Sequence, residues 1–103
     1  MSNDQPRITG PVLKVLGALL ASSQDEMAGS EIARLTKLSS GTMYPILLRL
    51  ETAGWLESRW EAETPQDLGR PRRRFYRVTA LGAQKARAEA RALEPAFGKL
   101  SWT

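Results

Sequence analysis

Five of the nine residues in Gly69–Arg77, GRPRRRFYR, are arginine, and none is acidic. Guanidinium groups at that density suit a polyanion, because each offers several N–H donors to phosphate oxygens. A second group of candidates lies earlier, in Leu38–Gly54, LSSGTMYPILLRLETAG. Ser39, Ser40, Thr42 and Tyr44 stand at the start of what reads as a helix, where N–H groups without helical partners attract phosphate. Arg49 follows on the same outward face. Other chemistry is poorly served. The chain has no cysteine and no histidine, which removes disulfides and both serine–histidine and cysteine–histidine catalysis. A structural zinc site lacks its usual ligands. The remaining acids, lysines and tyrosines form no catalytic pattern, so no enzyme activity, cofactor or metal is expected.

Charge is unevenly placed. Residues 1–68 hold six basic and nine acidic side chains, a balance of −3, whereas residues 69–103 hold nine and two, a balance of +7. The net charge of +4 therefore comes entirely from the last third, as expected where one part of a fold meets a polyanion. The length of 103 residues suits one small domain. Val12–Ala21 is too short for a membrane span and is interrupted by Lys14, and the polar start does not read as a signal peptide. A cytoplasmic location without membrane contact is expected.

The elements that must position these residues follow from hydrophobic spacing. Residues 1–10 read as a flexible arm. Val12, Leu13, Leu16, Leu19 and Leu20 predict a helix starting near Pro11. Gln24–Gly29 reads as a connector, and Ser30 as the cap of a short helix ending at Lys37. Ser40 reads as the cap of a third helix, with an apolar stripe at Met43, Ile46, Leu47 and Leu50 and a stop at Gly54. Pro45 sits awkwardly inside it and predicts a local distortion or a later start. Trp55–Glu63 alternates as a half-buried strand with Leu56, Ser58 and Trp60 on one side; Thr64–Pro71 reads as a loop, and Arg72–Val78 as a second strand. Trp55, Trp60, Phe75 and Tyr76 read as core rather than as stacking platforms. A final helix carries Ala83, Ala86, Ala90, Leu93, Phe97 and Leu100 in alternating steps of three and four, the seam of a helix packed on a partner helix. Pro95 is expected to kink or break it.

The order is thus three helices, two strands and a helix: mainly α with a β-hairpin. Two short helices joined by a tight turn place the second in a major groove. A hairpin with a basic tip lies along a backbone or in a minor groove. Arg70 and Arg72 are nearest that tip. Arg73 and Arg74 point to opposite faces of their strand. A solubilising hairpin whose arginines pair with Glu57, Glu61 and Glu63 accounts for Arg73 and Arg77, and leaves a concentrated basic tip unexplained.

Two stretches, SSGTMYPILLRLETAGWLES at Ser39–Ser58 and GRPRRRFYRVTALG at Gly69–Gly82, resemble in order and spacing the PadR family of winged-helix transcriptional regulators. The resemblance covers about Pro11 to Arg91. It implies a winged helix-turn-helix domain over residues 11–79 and a C-terminal dimerisation helix over 80–103. It also implies a homodimer repressing from a palindromic operator in double-stranded DNA, often relieved by small planar aromatic molecules. Thr42 and Tyr44 fall on the family's reading-helix positions, and Arg70, Arg72 and Arg73 on its wing. An effector pocket would use Phe97 and Trp102. Gly29-Ser30 stands where members often have Gly-Tyr, and the last helix is short. A winged-helix module that binds an acidic protein surface, without specific DNA binding, is the alternative.

Overall fold

The computed structural model describes residues 5–23 and 25–100, with side-chain surroundings up to residue 92. Its elements run α1 (Gly10–Ala21), β1 (Met27–Ala28), α2 (Gly29–Thr36), α3 (Ser40–Thr52), β2 (Leu56–Trp60), α4 (Pro65–Leu68), β3 (Arg74–Val78) and α5 (Ala80–Leu100). Helices carry the core, and a three-stranded antiparallel sheet in the order β1-β3-β2 closes one side.

Thr9 caps α1 by accepting from the Val12 N–H at 3.4 Å, and Pro11 occupies the first turn. Val12, Val15, Leu16 and Leu19 face inward. The chain just before α1 lies on the body rather than standing free as an arm: Pro6 is buried and Ile8 packs against the core. Leu16, Ile32, Met43, Leu47, Leu50 and Leu56 are fully enclosed. Burial of each such side chain contributes about 1.5–3 kcal/mol before entropy is counted.

The connector after α1 contains a strand that the sequence does not announce. Met27 pairs with Tyr76 and Ala28 with Phe75. Two residues are too few to show a period, so the pairing depends wholly on β3. The hairpin strands are shorter than the alternation suggests, and the expected loop folds in part into the single turn α4. Thr64 caps that turn, accepting from the Asp67 N–H at 3.1 Å, and Gly69 ends it at φ 69°.

Two further expectations change. Trp55 is core, only 2% exposed, but Trp60 is 56% exposed. Alternation puts Trp60 on the same side of β2 as the buried Leu56, yet its ring stands open beside the Arg74 guanidinium. Pro95 does not end α5, which continues to Leu100. A proline removes one helical hydrogen bond, and the helix goes on beyond it. Pro45 likewise lies within α3, whose N-cap is Ser39 rather than Ser40. The bond it forfeits is the one to the Gly41 carbonyl, and both residues are exposed, so water can serve that oxygen.

The start of α5 rests on the same chain, against α1 and β3. Ala86 packs on the core and Ala83 is half-buried, whereas Ala90 is exposed. The remaining seam positions, Leu93, Phe97 and Leu100, and also Trp102, lie outside the described side chains. No helix among the described residues is long and apolar enough to cross a membrane.

Candidate nucleic-acid interface

The turn between α2 and α3 is held by short-range bonds. Lys37 takes a left-handed conformation, φ 61°, and its N–H bonds the Ala33 carbonyl at 2.8 Å. The buried Thr36 hydroxyl donates to the Ile32 carbonyl at 2.7 Å and accepts from the Leu38 N–H at 3.3 Å. Ser39 then caps α3. Its hydroxyl accepts from the Thr42 N–H at 3.3 Å and donates to Thr42 Oγ1 at 3.2 Å. With Met43, Ile46, Leu47 and Leu50 turned inward, the helix presents Ser40, Thr42, Tyr44, Leu48 and Arg49 to solvent. The Tyr44 ring, 47% exposed, lies over the backbone of Gly29. A Cβ there would sit 3.0 Å from its hydroxyl, so the glycine gives the ring its seat.

The wing distributes its arginines unequally. Glu61, just past β2, accepts from Arg70 Nη1 at 2.7 Å, from Arg70 Nη2 at 2.9 Å, and from the Arg73 N–H at 2.8 Å. The Arg70 guanidinium and that backbone N–H hold its carboxyl at about 2, below the ordinary 4.5. Arg77 pairs with Glu57 directly across the ladder at 2.6 Å. Arg59 pairs with Glu26 and stacks over Phe75 with 5.0 Å between guanidinium carbon and ring centre. Among the wing residues singled out from sequence, Arg70 is therefore bound within the protein. The Arg73 guanidinium lies in the field of Glu61 but forms no hydrogen bond or ion pair among the described residues, and Arg72 engages only the Glu63 carbonyl, through Nε at 2.8 Å. The expected pairing of Arg73 with a strand carboxylate is replaced by that of Arg70.

Arg74 links the wing to α3. Its Nε donates to Ser58 Oγ at 2.9 Å, Ser58 Oγ donates to Glu51 Oε2 at 2.7 Å, and Arg74 Nη2 lies 3.4 Å from the same carboxylate. The Trp60 and Tyr76 rings lie 5.3 and 5.9 Å from the Arg74 guanidinium carbon. Glu51 is in α3, Ser58 in β2 and Arg74 in β3, so one network fixes the angle between the two DNA-facing candidates. Sequence inspection misses this trio because its members are spread over three elements and each looks like a surface residue alone.

Ser39, Ser40, Thr42, Tyr44 and Arg49 are thus all exposed on α3 and its cap, with Arg72 and Arg73 exposed on the wing. A cleft of about 450 Å³ runs between α2, Tyr44 and the wing, and Arg72, Arg73, Arg74, Trp60 and Tyr76 line it. No group of three acidic side chains among the described residues could hold a metal ion.

A tight pair of short helices backed by a third, followed by a basic hairpin, defines a winged helix-turn-helix protein. Residues 20–88 match the model of the PadR-like transcriptional regulator family, more than half of the chain, and the protein belongs to that family. A PadR family regulator from Eggerthella lenta is similar in structure, with 28% identity, a TM-score of 0.64, and coverage of 86% of this chain and 79% of that one. A mutant of S. aureus MepR shares the fold at 22% identity and a TM-score of 0.73, over 90% of this chain and 64% of its own. Bacillus subtilis PadR in complex with operator DNA shares it at 20% identity and a TM-score of 0.63, over 77% of this chain and 46% of its own. This chain thus spans under two thirds of that MepR chain and of the B. subtilis PadR chain. No curated protein matches the sequence.

Proposed function

We propose that this regulator binds operator DNA sequence-specifically as a homodimer and represses transcription from it. The observation that carries the proposal is the set of exposed α3 side chains Ser40, Thr42, Tyr44 and Arg49 beside two exposed wing arginines, Arg72 and Arg73, that form no ion pair among the described residues. Polar side chains near the start of α3 suit base edges in a major groove, and Arg72 and Arg73 suit the backbone beside it. Arg70 acts on the wing's shape through Glu61. Two copies joined by α5 would address half-sites about one helical turn apart. The B. subtilis PadR complex with operator DNA supports this reading by likeness of fold.

A gel-shift series with DNA from upstream of the protein's own gene, run at several salt concentrations, tests it. Replacing Arg72 or Arg73 by alanine is expected to weaken binding to all sequences and to flatten the salt slope by about one unit per lost phosphate contact. Thr42→Ala and Tyr44→Phe are expected to change the ranking of sequences instead. Arg70→Ala is expected to loosen the wing while leaving the slope nearly unchanged. Wild-type slopes for both the Arg72 and Arg73 variants would sink the assignment, and absence of any specific shift would sink the DNA reading.

A further inference from the structure

The cleft between α2 and the wing is built from hydrogen-bond donors. Its lining includes three arginines and no acidic side chain. Tyr76 on its floor is only 6% exposed, and its hydroxyl has no hydrogen-bond partner among the described residues. That hydroxyl is not sealed in: the one fully enclosed side-chain polar atom without a partner among the described residues is Trp55 Nε1. A nearly buried hydroxyl that opens on a polar cleft and bonds to nothing among the described residues is free to donate to an acceptor held there. At one wall, α2 begins at Ala28 and Gly29 with no side-chain cap, so the Ser30 end of the helix offers N–H groups. At the other, the Arg73 guanidinium is exposed and forms no hydrogen bond or ion pair among the described residues. Trp60 and Tyr44, both about half exposed, supply flat apolar walls beside these donors.

We propose that this cleft is a site for a phosphate carried next to an aromatic ring, the chemistry of a single nucleotide. The phosphate oxygens accept from the Tyr76 hydroxyl, Arg73 and the first turn of α2, and the ring stacks on Trp60 or Tyr44. A volume of about 450 Å³ suits a small molecule of that size. The same chemistry has two sources. A free nucleotide would occupy the surface that faces DNA and so exclude it. Alternatively, one backbone phosphate of the bound duplex takes the oxyanion position. The second source rests on the DNA-binding reading above; the first does not.

Tryptophan fluorescence of the full chain, with Trp60→Phe as control, is titrated with adenosine monophosphate, adenosine and inorganic phosphate, without DNA. In parallel, ethylation interference on a bound duplex maps the phosphates each protein needs. Tyr76→Phe and Arg73→Ala are measured in both arms, with circular dichroism to check folding. A free-nucleotide site gives a Trp60-dependent response to the monophosphate that exceeds those to adenosine and phosphate and weakens about tenfold in each variant. A duplex site gives no such response but loses one ethylation-sensitive phosphate per protomer in Tyr76→Phe, the rest of the footprint being intact. Either supports the site. No monophosphate response, together with unchanged interference patterns in both variants, overturns it and leaves DNA binding standing. A monophosphate response in a protein that shifts no duplex keeps the site and removes the DNA reading.

Discussion

Glu61 shows how far a residue's neighbours decide its meaning. In the sequence it is one of several acids on a strand, and Arg70 is one of several wing arginines. Folded, they form a two-point ion pair that also takes in the Arg73 N–H. The folded carboxyl titrates at about 2 against an ordinary 4.5, so the native state holds its proton less tightly than the unfolded chain does. The stability this adds is fully present above the unfolded value and is lost as pH falls through the folded one. Thermal melts of wild type and Glu61→Gln should therefore differ by a constant amount above about pH 5 and converge toward about pH 2. Added salt should shrink the gap, since the pair is partly open to solvent. The cross-strand pair Glu57–Arg77 was readable from alternation alone, because both stand on one face of a regular ladder. The Arg70 pair was not, since it depends on how the wing curls back through α4.

Elements were legible in proportion to their length. The three apolar stripes of α1, α3 and the start of α5 carry their own period, and so does the β2–β3 hairpin. By contrast, β1 has only two residues. The turn α4 did leave a signal, Thr64-Pro65 with Asp67 and then Gly69, which is a cap, a first-turn proline, an acid near the positive end and a stop. Proline and glycine close together also mark a loop, and that commoner meaning hides the turn. At the other end of the hairpin, Gly82 shows why a small residue closes the VTALG stretch. A Cβ there would lie 2.2 Å from the Trp55 carbonyl oxygen, so α5 crosses the entry to β2 at backbone contact. Gly82→Ala should cost about 3 kcal/mol, read as a lower urea midpoint with an unchanged slope. A smaller effect than about 1 kcal/mol would mean that α5 can shift freely on that strand.

The molecule measures 55 × 39 × 25 Å, long for its size, and α5 with its 21 residues is its longest element. A straight helix of that length spans about 32 Å, and its first turns rest on the body of the same chain through Gly82 and Ala86. On the proposal of a homodimer, the outer turns are the part that a second copy covers. Removing residues 93–103 should leave a folded monomer by sedimentation and weaken operator binding by about a hundredfold, the loss expected when two linked half-site contacts become independent. A truncated chain that still sediments as a dimer would place the subunit contact elsewhere. Exposed Leu13, Leu20 and Leu35 lie on α1 and α2, outside that helix, and would be where to look next.

The unequal treatment of the wing arginines bears on how such a regulator would find its target. Attachment to random DNA is almost entirely electrostatic. A hairpin with all five guanidinium groups free would cling to any duplex and leave it slowly. Here Arg70, Arg74 and Arg77 are held by the protein's own carboxylates, and only Arg72 and Arg73 remain without an acidic partner among the described residues. On the proposed DNA-binding reading, dwell time on irrelevant sequence would be shortened accordingly, and more of the discrimination would fall to the polar side chains of α3. On that reading, the three carboxylates Glu51, Glu57 and Glu61 would favour rapid search over indiscriminate grip.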